Sequence, residues 1–413
     1  MSLYKETLDW MFSKLPMYQR IGEAAYRPGL EAMEALDVYL HYPHKNLKCI
    51  HIAGTNGKGS TAHMMASVLQ EAGYKTGLYT SPHLLDFRER IKIDGSMIPE
   101  VEVVDFIKKH KRYFEEKRIS FFEMTVGMAF AYFKTQQVDF AIIEVGLGGR
   151  LDATNIINPI LSVITNIGLD HTQFLGTTRA AIAAEKGGII KEGTPVILGE
   201  KDDETDTVFT AIAAQKRAPI VFANSSSSHF TSDLKGSYQK ANIRTVVTAL
   251  KQLNLKVITD QIIQQGLSKV ALNTNLMGRW QNLSQAPNII ADVGHNKEGL
   301  LYISEHLKVL TYRKLHLVMG FVKGRQVDEL ISLFPTKAQY YFCTPKLDRG
   351  LPIEDLKEAL SEANGDFNYL ESVSSAFETA KAAATSSDLI VVCGSTFVVA
   401  EVLSHLKKHS YPV

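Results

Sequence analysis

A chain of 413 residues is long for one domain and suits two or three. Its 45 Lys and Arg against 44 Asp and Glu leave a formal charge of +1, which gives no reason to expect a nucleic-acid or membrane partner and leaves only a local basic pocket open. Apolar residues at 45% with charged residues at 22% match an ordinary globular protein rather than a disordered or fibrous one. Cys49, Cys343 and Cys393 are far apart and odd in number. They read as buried reduced thiols, not as a disulfide framework or a metal knuckle. The opening MSLYKETLDWMFSKLP carries acidic residues and no continuous apolar core, unlike a secretory signal. No stretch approaches the roughly 18 apolar residues of a membrane span, so the cytoplasm is the expected location.

Residues 3–14 and 29–40 read as helices; in the second, Leu30, Met33, Leu36 and Leu40 recur at helical spacing, and Pro28 and Gly29 mark its start. A short apolar strand follows, Cys49 to Ala53, then a glycine loop, then a helix over 60–72 with Met64, Met65, Val68 and Leu69 on one face. Val138–Val145, Ile160–Ile164, Pro195–Leu198 and Ile220–Phe222 read as further strands, with helical stretches between them. That rhythm predicts a mostly parallel sheet covered on both faces. From about 200 to 240 the chain turns polar, with GEKDDETD and the serine run Ser225–Ser228, and reads as surface loops. Helices are expected around Asn242–Leu253 and 259–270. The polar segment 273–287 interrupts the periodicity and marks a boundary. The first domain is placed at 1–277, a linker at 278–282 and a second domain at 283–413. In the second, Asn288–Ala291, Leu315–Met319, Tyr340–Cys343 and Leu389–Val392 read as buried strands. The predicted fold class is α/β: a P-loop-type, mostly parallel sheet domain followed by a smaller Rossmann-like domain.

The sharpest feature is Gly54-Thr55-Asn56-Gly57-Lys58-Gly59-Ser60, set between a strand and a helix. Glycines let backbone N–H groups approach phosphate oxygens, and the helix N-terminus adds partial positive charge. Lys58 can neutralise outer phosphates and Ser60 can face a magnesium ion. The strict pattern G-x-x-x-x-G-K-[ST] is not met, because Gly59 separates Lys58 from Ser60 and the earlier glycine is displaced. The strand–loop–helix setting is what marks it as a phosphate cradle.

With its flanks, His51 to Ser60 resembles the phosphate loop of the folylpolyglutamate synthase and dihydrofolate synthase family of the Mur ligase superfamily. Other ordered blocks carry the same resemblance: GLYTSPHLLDFRER at 77–90, EVGLGGRLDATN at 144–155, Leu169-Asp170-His171, and Glu185 to Ile190. They continue with Gly236, Gln239 and Asn242, then Gly278-Arg279, Asp292 to Asn296, and Cys393-Gly394-Ser395. The resemblance implies an ATP-dependent ligase. ATP would phosphorylate an acceptor carboxylate, the amine of L-glutamate would attack the acyl phosphate, and an amide, ADP and phosphate would result. A carboxylate needs this activation because its own leaving group would be oxide, and the gathered negative charge calls for cations.

The resemblance also implies roles for particular residues. Thr55, Asn56, Gly57, Lys58, Gly59 and Ser60 would hold the ATP phosphates; Asn242, Arg279, Asp292 and His295 would contact the rest of the nucleotide. Ser60, Ser81, Glu144 and His171 would serve two magnesium ions. Nitrogen is an unusual magnesium donor, so chemistry alone leaves His171 open as a core or acid–base histidine. Lys186 resembles the lysine that the family carries as a carbamate; an unmodified lysine on phosphate is the alternative. Lys58, Lys186 and His171 are the candidate catalytic residues. Arg27, Pro28, Gly29, Ser120, Phe121, Phe122, Glu123, Arg150, Leu151 and Asp152 resemble the dihydropteroate contacts of bifunctional members, an aromatic pair being able to stack on a pterin. Phe121 and Phe122 could equally be core. Substrates would be dihydropteroate or reduced folate and L-glutamate, with a monomer as the default. A monofunctional folylpolyglutamate synthase, a cell-wall Mur ligase and a non-catalytic nucleotide-binding module stay open as alternatives. Asp292-Val293-Gly294-His295-Asn296-Lys297 departs from the family's DGAHNP, and 320–326 lacks its usual Asp-Lys-Asp ending.

Overall fold

A computed structural model describes residues 2–15, 29–223 and 229–409. The chain divides into two compact units, one of Met1–Asp233 with Gln239–Leu276, the other of Leu234–Tyr238 with Met277–Val413. The short return at Leu234–Tyr238 is invisible to periodicity: five residues placed with the first domain by sequence cluster with the second unit.

The first unit is built on one sheet. Its strands are β1 (Cys49–Ala53), β2 (Thr76–Tyr79), β3 (Ile91–Ile93), β4 (Ser96–Met97), β5 (Phe140–Glu144), β6 (Leu161–Ile164), β7 (Val196–Leu198) and β8 (Ile220–Phe222), in the spatial order β4-β3-β2-β5-β1-β6-β7-β8. Pairings are parallel except at the β2–β3 and β3–β4 edge. Every residue of β1, β5 and β6 is buried, which is why these strands read as unbroken apolar runs. The β3–β4 hairpin and β2 carry two to four residues each, too short for a period to register.

The order matters for function. From β1 the sheet extends one way through β5 and the other way through β6, with Ile52 beside Glu144 and Ala53 beside Ile164. The carboxyl ends of β1, β5 and β6 thus share one edge at a change of direction, the place where open α/β sheets bind ligands. Behind β1 the helix Lys58–Glu71 lies against β1, β2 and β5. Helix Asp260–Leu267 approaches it backbone to backbone: a Cβ on Gly266 would fall 2.5 Å from Val68 Cα, and Ser67 Oγ donates to Gly266 O at 2.6 Å. Met11, Leu36, Phe114, Phe130 and Phe133 fill one core layer, and Ile182, Leu198 and Phe209 belong to another.

The second unit has β9 (Gln281–Gln285), β10 (Asn288–Ala291), β11 (Leu315–Met319), β12 (Gln339–Cys343), β13 (Asp366–Leu370) and β14 (Leu389–Cys393), ordered β13-β12-β11-β14-β10-β9. All pairings are parallel except β9 with β10. The edge strand β9 (QNLSQ) lies inside the segment that sequence marks as an interruption. It is polar because an edge strand needs only one apolar partner, and polar side chains guard its open side. The three cysteines are buried and unpaired. Among the described residues no helix is long and apolar enough to cross a membrane.

Candidate active site

The loop after β1 is shaped by two glycines. Gly57 caps the helix Lys58–Glu71 at φ +81°, and a Cβ there would lie 2.3 Å from Asn242 Oδ1. Gly54, at φ +145°, would place a Cβ 1.8 Å from Thr165 Oγ1. Only glycine allows these close approaches in a left-handed conformation. The loop is stitched to the end of β6. Thr55 N–H donates to Asn166 O (3.0 Å), Asn56 N–H to Asn166 Oδ1 (2.9 Å), and Thr165 Oγ1 to Asn56 O (2.6 Å). Asn242 reaches the same loop through a relay: its Nδ2 donates to Gln239 Oε1 at 2.8 Å, and Gln239 Nε2 donates to Ser60 Oγ at 3.2 Å. Thr55, Asn56, Gly57, Lys58, Gly59, Ser60 and Asn242 are therefore brought together.

Two amines converge on one carbonyl. Lys58 Nζ donates to Gly54 O at 2.9 Å and to Thr55 O at 3.1 Å, while Lys186 Nζ donates to the same Gly54 O at 2.9 Å. Lys186 is buried, on the helix Arg179–Gly187. Desolvation and the charge of Lys58 push its amine down to about 7, against the opposing pull of Asp170 and Asp152. The fold thus collects positive charge where a phosphate chain would need it. Asp170 is buried beside this group and stands in none of the roles read from sequence, although it lies in the Leu169-Asp170-His171 block.

Glu144 ends β5, next to β1, is buried, and accepts the backbone N–H of Ser81 at 3.0 Å. This joins two of the expected metal residues. His171 sits at φ +52° at the start of a short helix, and its N–H donates to Asp170 Oδ1 at 2.9 Å. Among the described residues no three His, Cys, Asp or Glu side chains gather as a metal cage. One carboxylate with serine hydroxyls is what a magnesium ion requires when it keeps waters and takes its other oxygens from substrate phosphate, so these donors fit that ion.

The pterin-end residues are less uniform. Arg27 and Pro28 lie outside the described residues. Gly29 is described, at φ +134°. Ser120 and Glu123 form a capping box on the helix Phe121–Thr135: Ser120 Oγ accepts from Glu123 N at 3.2 Å and Glu123 Oε2 accepts from Ser120 N at 2.7 Å. Phe121 is core, ringed by Phe12 at 5.6 Å and Phe87 at 5.9 Å, with Arg90 over its face at 5.3 Å. Phe122 is half-buried and closes on Gly146, where a Cβ would fall 2.3 Å from its ring. Arg150, half-exposed, donates twice to Glu185 Oε1, at 3.1 and 2.7 Å. Leu151 is half-buried. Asp152 uses both carboxylate oxygens inside its own loop, accepting from Gly146 N and Leu147 N on one and from Thr154 on the other.

In the second unit Asp292 follows β10 and is buried. Its Oδ2 accepts from Tyr238 Oη at 2.5 Å and from Trp280 N at 2.9 Å; its Oδ1 accepts from Gly294 N at 2.9 Å. Burial pushes its carboxyl up, against Tyr238 and Arg279, which hold it down. Arg279 Nη1 donates to Gly278 O at 3.2 Å, and His295 Nδ1 donates to Val293 O at 2.9 Å. Asn296 Oδ1 accepts from Gly299 N at 2.8 Å and caps the helix Lys297–Leu307. Sequence reasoning missed Tyr238, which no motif spacing marks.

Comparison with known proteins places the chain. A model described as the Mur ligase middle domain matches residues 52–281, and one described as the Mur ligase glutamate ligase domain matches 278–396. The chain belongs to the Mur ligase family. Its relatives include the dihydrofolate synthase/folylpolyglutamate synthase of Bacillus subtilis, 30% identical over 98% of this chain and 99% of that protein. The Escherichia coli protein of the same name is 33% identical over 85% of each. A probable bifunctional folylpolyglutamate synthase/dihydropteroate synthase of Haloferax volcanii is 30% identical over 96% of this chain, which spans 50% of that protein's length. The structure of E. coli FolC in complex with DHPP and ADP superposes with a TM-score of 0.85 at 30% identity, covering 99% of this chain and 98% of that one. Another, a bifunctional folylpolyglutamate synthase/dihydrofolate synthase with Mn, AMPPNP and L-glutamate bound, gives 0.84 at 29% identity and 98% of each chain. Within the Mur ligases, this protein is a member of the dihydrofolate synthase/folylpolyglutamate synthase family.

Proposed function

We propose that the chain is an ATP-dependent ligase joining L-glutamate to dihydropteroate and to reduced folates. The observation that carries this reading is the meeting of Lys58, Lys186 and Gly54 at the sheet edge beside Glu144, in a chain whose relatives bear both activities in their names. The glycine loop and Lys58 bind and orient the ATP phosphates. Asn242 and Gln239 hold Ser60 in place, and Ser60, Ser81, Glu144 and His171 hold the divalent ions, taken to be magnesium. When bound, such ions neutralise phosphate charge. The acceptor carboxylate becomes an acyl phosphate, the glutamate amine attacks its carbon, and phosphate leaves as the amide forms. Arg279, Asp292 and His295 serve the nucleotide from the second domain; Arg27, Pro28, Gly29, Ser120, Phe121, Phe122, Glu123, Arg150, Leu151 and Asp152 line or support the pterin end. The first unit would serve ATP, metal and folate and the second would be the Rossmann-like domain; the expected linker 278–282 falls within the second unit, with Gln281 and Asn282 already in β9. The protein acts as a cytoplasmic monomer.

Lys186 works as a carbamate. An amine depressed to about 7 is largely unprotonated at slightly alkaline pH, so its lone pair can attack carbon dioxide. A nitrogen–carbon bond forms, the nitrogen loses a proton, and a neutral amine becomes an anion. Two measurements test the reading. ADP release should require glutamate and a folate acceptor together; release that ignores the acceptor would overturn it. Protein equilibrated with carbon-13 bicarbonate should give a carbamate resonance that Lys186→Arg protein lacks; its absence from both would overturn the carbamate.

A further inference from the structure

Behind the site runs a buried polar chain whose first two members, His51 and Thr154, have no part in the chemistry above. His51 lies in the middle of β1 and is fully buried. Its Nε2 is 2.9 Å from Thr154 Oγ1. Thr154, also fully buried, donates its backbone N–H to Asp152 Oδ1 at 3.0 Å and its hydroxyl to the same oxygen at 2.5 Å. Asp152 Oδ2 in turn accepts the N–H groups of Gly146 and Leu147, at 3.0 and 2.9 Å. A threonine hydroxyl has one proton, and Asp152 takes it. The lone pair left over must then accept from His51, which fixes the imidazole as its Nε2–H tautomer. His51 Nδ1 is buried with no hydrogen-bond partner. Burial, then the charge of Lys191, push the imidazole down to about 3, so it stays neutral. An orphaned ring nitrogen in a core strand is costly, and a leucine would pack there without that cost. The polar chain must therefore do something that packing alone would not.

What it joins is specific. One end is β1, which leads directly into Gly54, the carbonyl shared by Lys58 and Lys186. The other end is the loop that begins two residues after Glu144. That loop also sets the Lys186 helix: Arg150 N–H donates to Glu185 O at 2.7 Å, and a Cβ on Gly149 would lie 2.9 Å from both Glu185 O and Lys186 O. We propose that His51 and Thr154 are positioning residues for the ligase reaction, acting through Asp152 to fix the loop at 146–152 and with it Glu144 and Lys186 relative to the phosphate loop. The inference rests on the ligase reading above.

The test uses two matched pairs in the full-length protein, Thr154→Val against Thr154→Ser and His51→Leu against His51→Gln. Serine and glutamine retain the donor or acceptor that the chain needs; valine and leucine keep the bulk without it. Thr154→Val and His51→Leu should lower kcat by about 10- to 100-fold and raise the magnesium concentration for half-maximal rate, the usual consequence of losing the support behind a metal site. Serine and glutamine should restore most of both. Amide exchange at Gly146 and Leu147 should quicken in the valine and leucine variants and recover in the other two. If Thr154→Val does not fold, the His51 pair carries the test. Unchanged kcat, magnesium response and exchange in the apolar variants would overturn the inference, as would serine and glutamine variants as impaired as valine and leucine. Wild-type protein that makes no amide would overturn the ligase reading instead, and exchange at Gly146 and Leu147 would still decide whether the polar chain positions the loop.

Discussion

Gly57→Ala tests the geometry of the phosphate loop in energetic terms. The new methyl would sit at φ +81°, 2.3 Å from Asn242 Oδ1 and 3.1 Å from its Cγ. The left-handed backbone alone costs about 1–2 kcal/mol for a residue with a Cβ. Relieving the overlap requires Asn242 to turn away, which breaks its hydrogen bond to Gln239 and loosens Gln239 on Ser60; at about 1 kcal/mol per hydrogen bond, that adds about 1–2 kcal/mol. The total is about 2–4 kcal/mol. Asn242→Ala protein has already lost the overlapping atoms, so Gly57→Ala in that background should cost only the backbone share, about 1–2 kcal/mol. Urea unfolding of the wild type, both single variants and the double variant measures this coupling directly. Activity should fall at least about 100-fold in Gly57→Ala, because displacement near 1 Å at a phosphate cradle has that effect. Additive stability changes, with no coupling between the two sites, would refute the reasoning.

Other consequences follow from single groups. Lys186 gives a pH dependence of definite sign. The unfolded lysine holds its proton up to about 10.5, whereas the folded one releases it near 7. Between these values the unfolded chain binds more protons, so this residue's contribution to stability improves as pH rises from 7 towards 10. In carbon-dioxide-free buffer Lys186→Met should therefore gain most over wild type below about pH 7 and lose that advantage progressively as pH rises towards 10.5; a gap independent of pH would contradict the buried amine. Asp388 accepts Arg313 Nε and Nη2 at 2.9 and 2.8 Å as well as Thr385 N at 2.7 Å, and the Arg313 bonds hold its carboxyl below the usual range. The stability it contributes is present at neutral pH and lost as pH falls below about 4. Asp388→Asn should cost about 1.5–3 kcal/mol at pH 7 and flatten the acid limb of unfolding curves for the second unit. Ser120→Ala removes one half of a capping box and should cost about 1 kcal/mol by thermal melting. A change in the Michaelis constant for dihydropteroate without loss of stability would give Ser120 to the ligand instead.

The sequence made the centre of the first unit legible because its physics is local. A buried strand, a glycine loop and a helix are consecutive, and Lys58 and Ser60 fall where that geometry puts them. Glu144 was legible for a similar reason, since it ends an apolar run. Other parts depend on neighbours that sequence does not list. The strands β2, β3 and β4 are too short to show a period, and β9 hides in a polar segment because only one of its sides is paired. Ser120 and Glu123 stand three apart at the start of an apolar helix, which is a capping-box signature in its own right beside the pterin resemblance. Asp152 lies in a block that points to ligand, and its bonds to its own loop's amides and to the Thr154 hydroxyl are not legible there. Tyr238 finds Asp292 across 54 residues, and Asp170 approaches Lys186 only through the fold.

These pieces converge on a single chemical claim, that this site forms an amide between the amine of glutamate and a carboxylate of dihydropteroate or a reduced folate at the expense of ATP. Mass spectrometry of products tests it most directly. Purified protein would receive magnesium, ATP and glutamate, with dihydropteroate in one tube and tetrahydrofolate in another, and Lys58→Ala protein as control. Glutamate adducts in both tubes and in neither control are the predicted result. An adduct with tetrahydrofolate alone would reduce the enzyme to one activity. No adduct in either tube, from folded protein that binds ATP, would contradict the account.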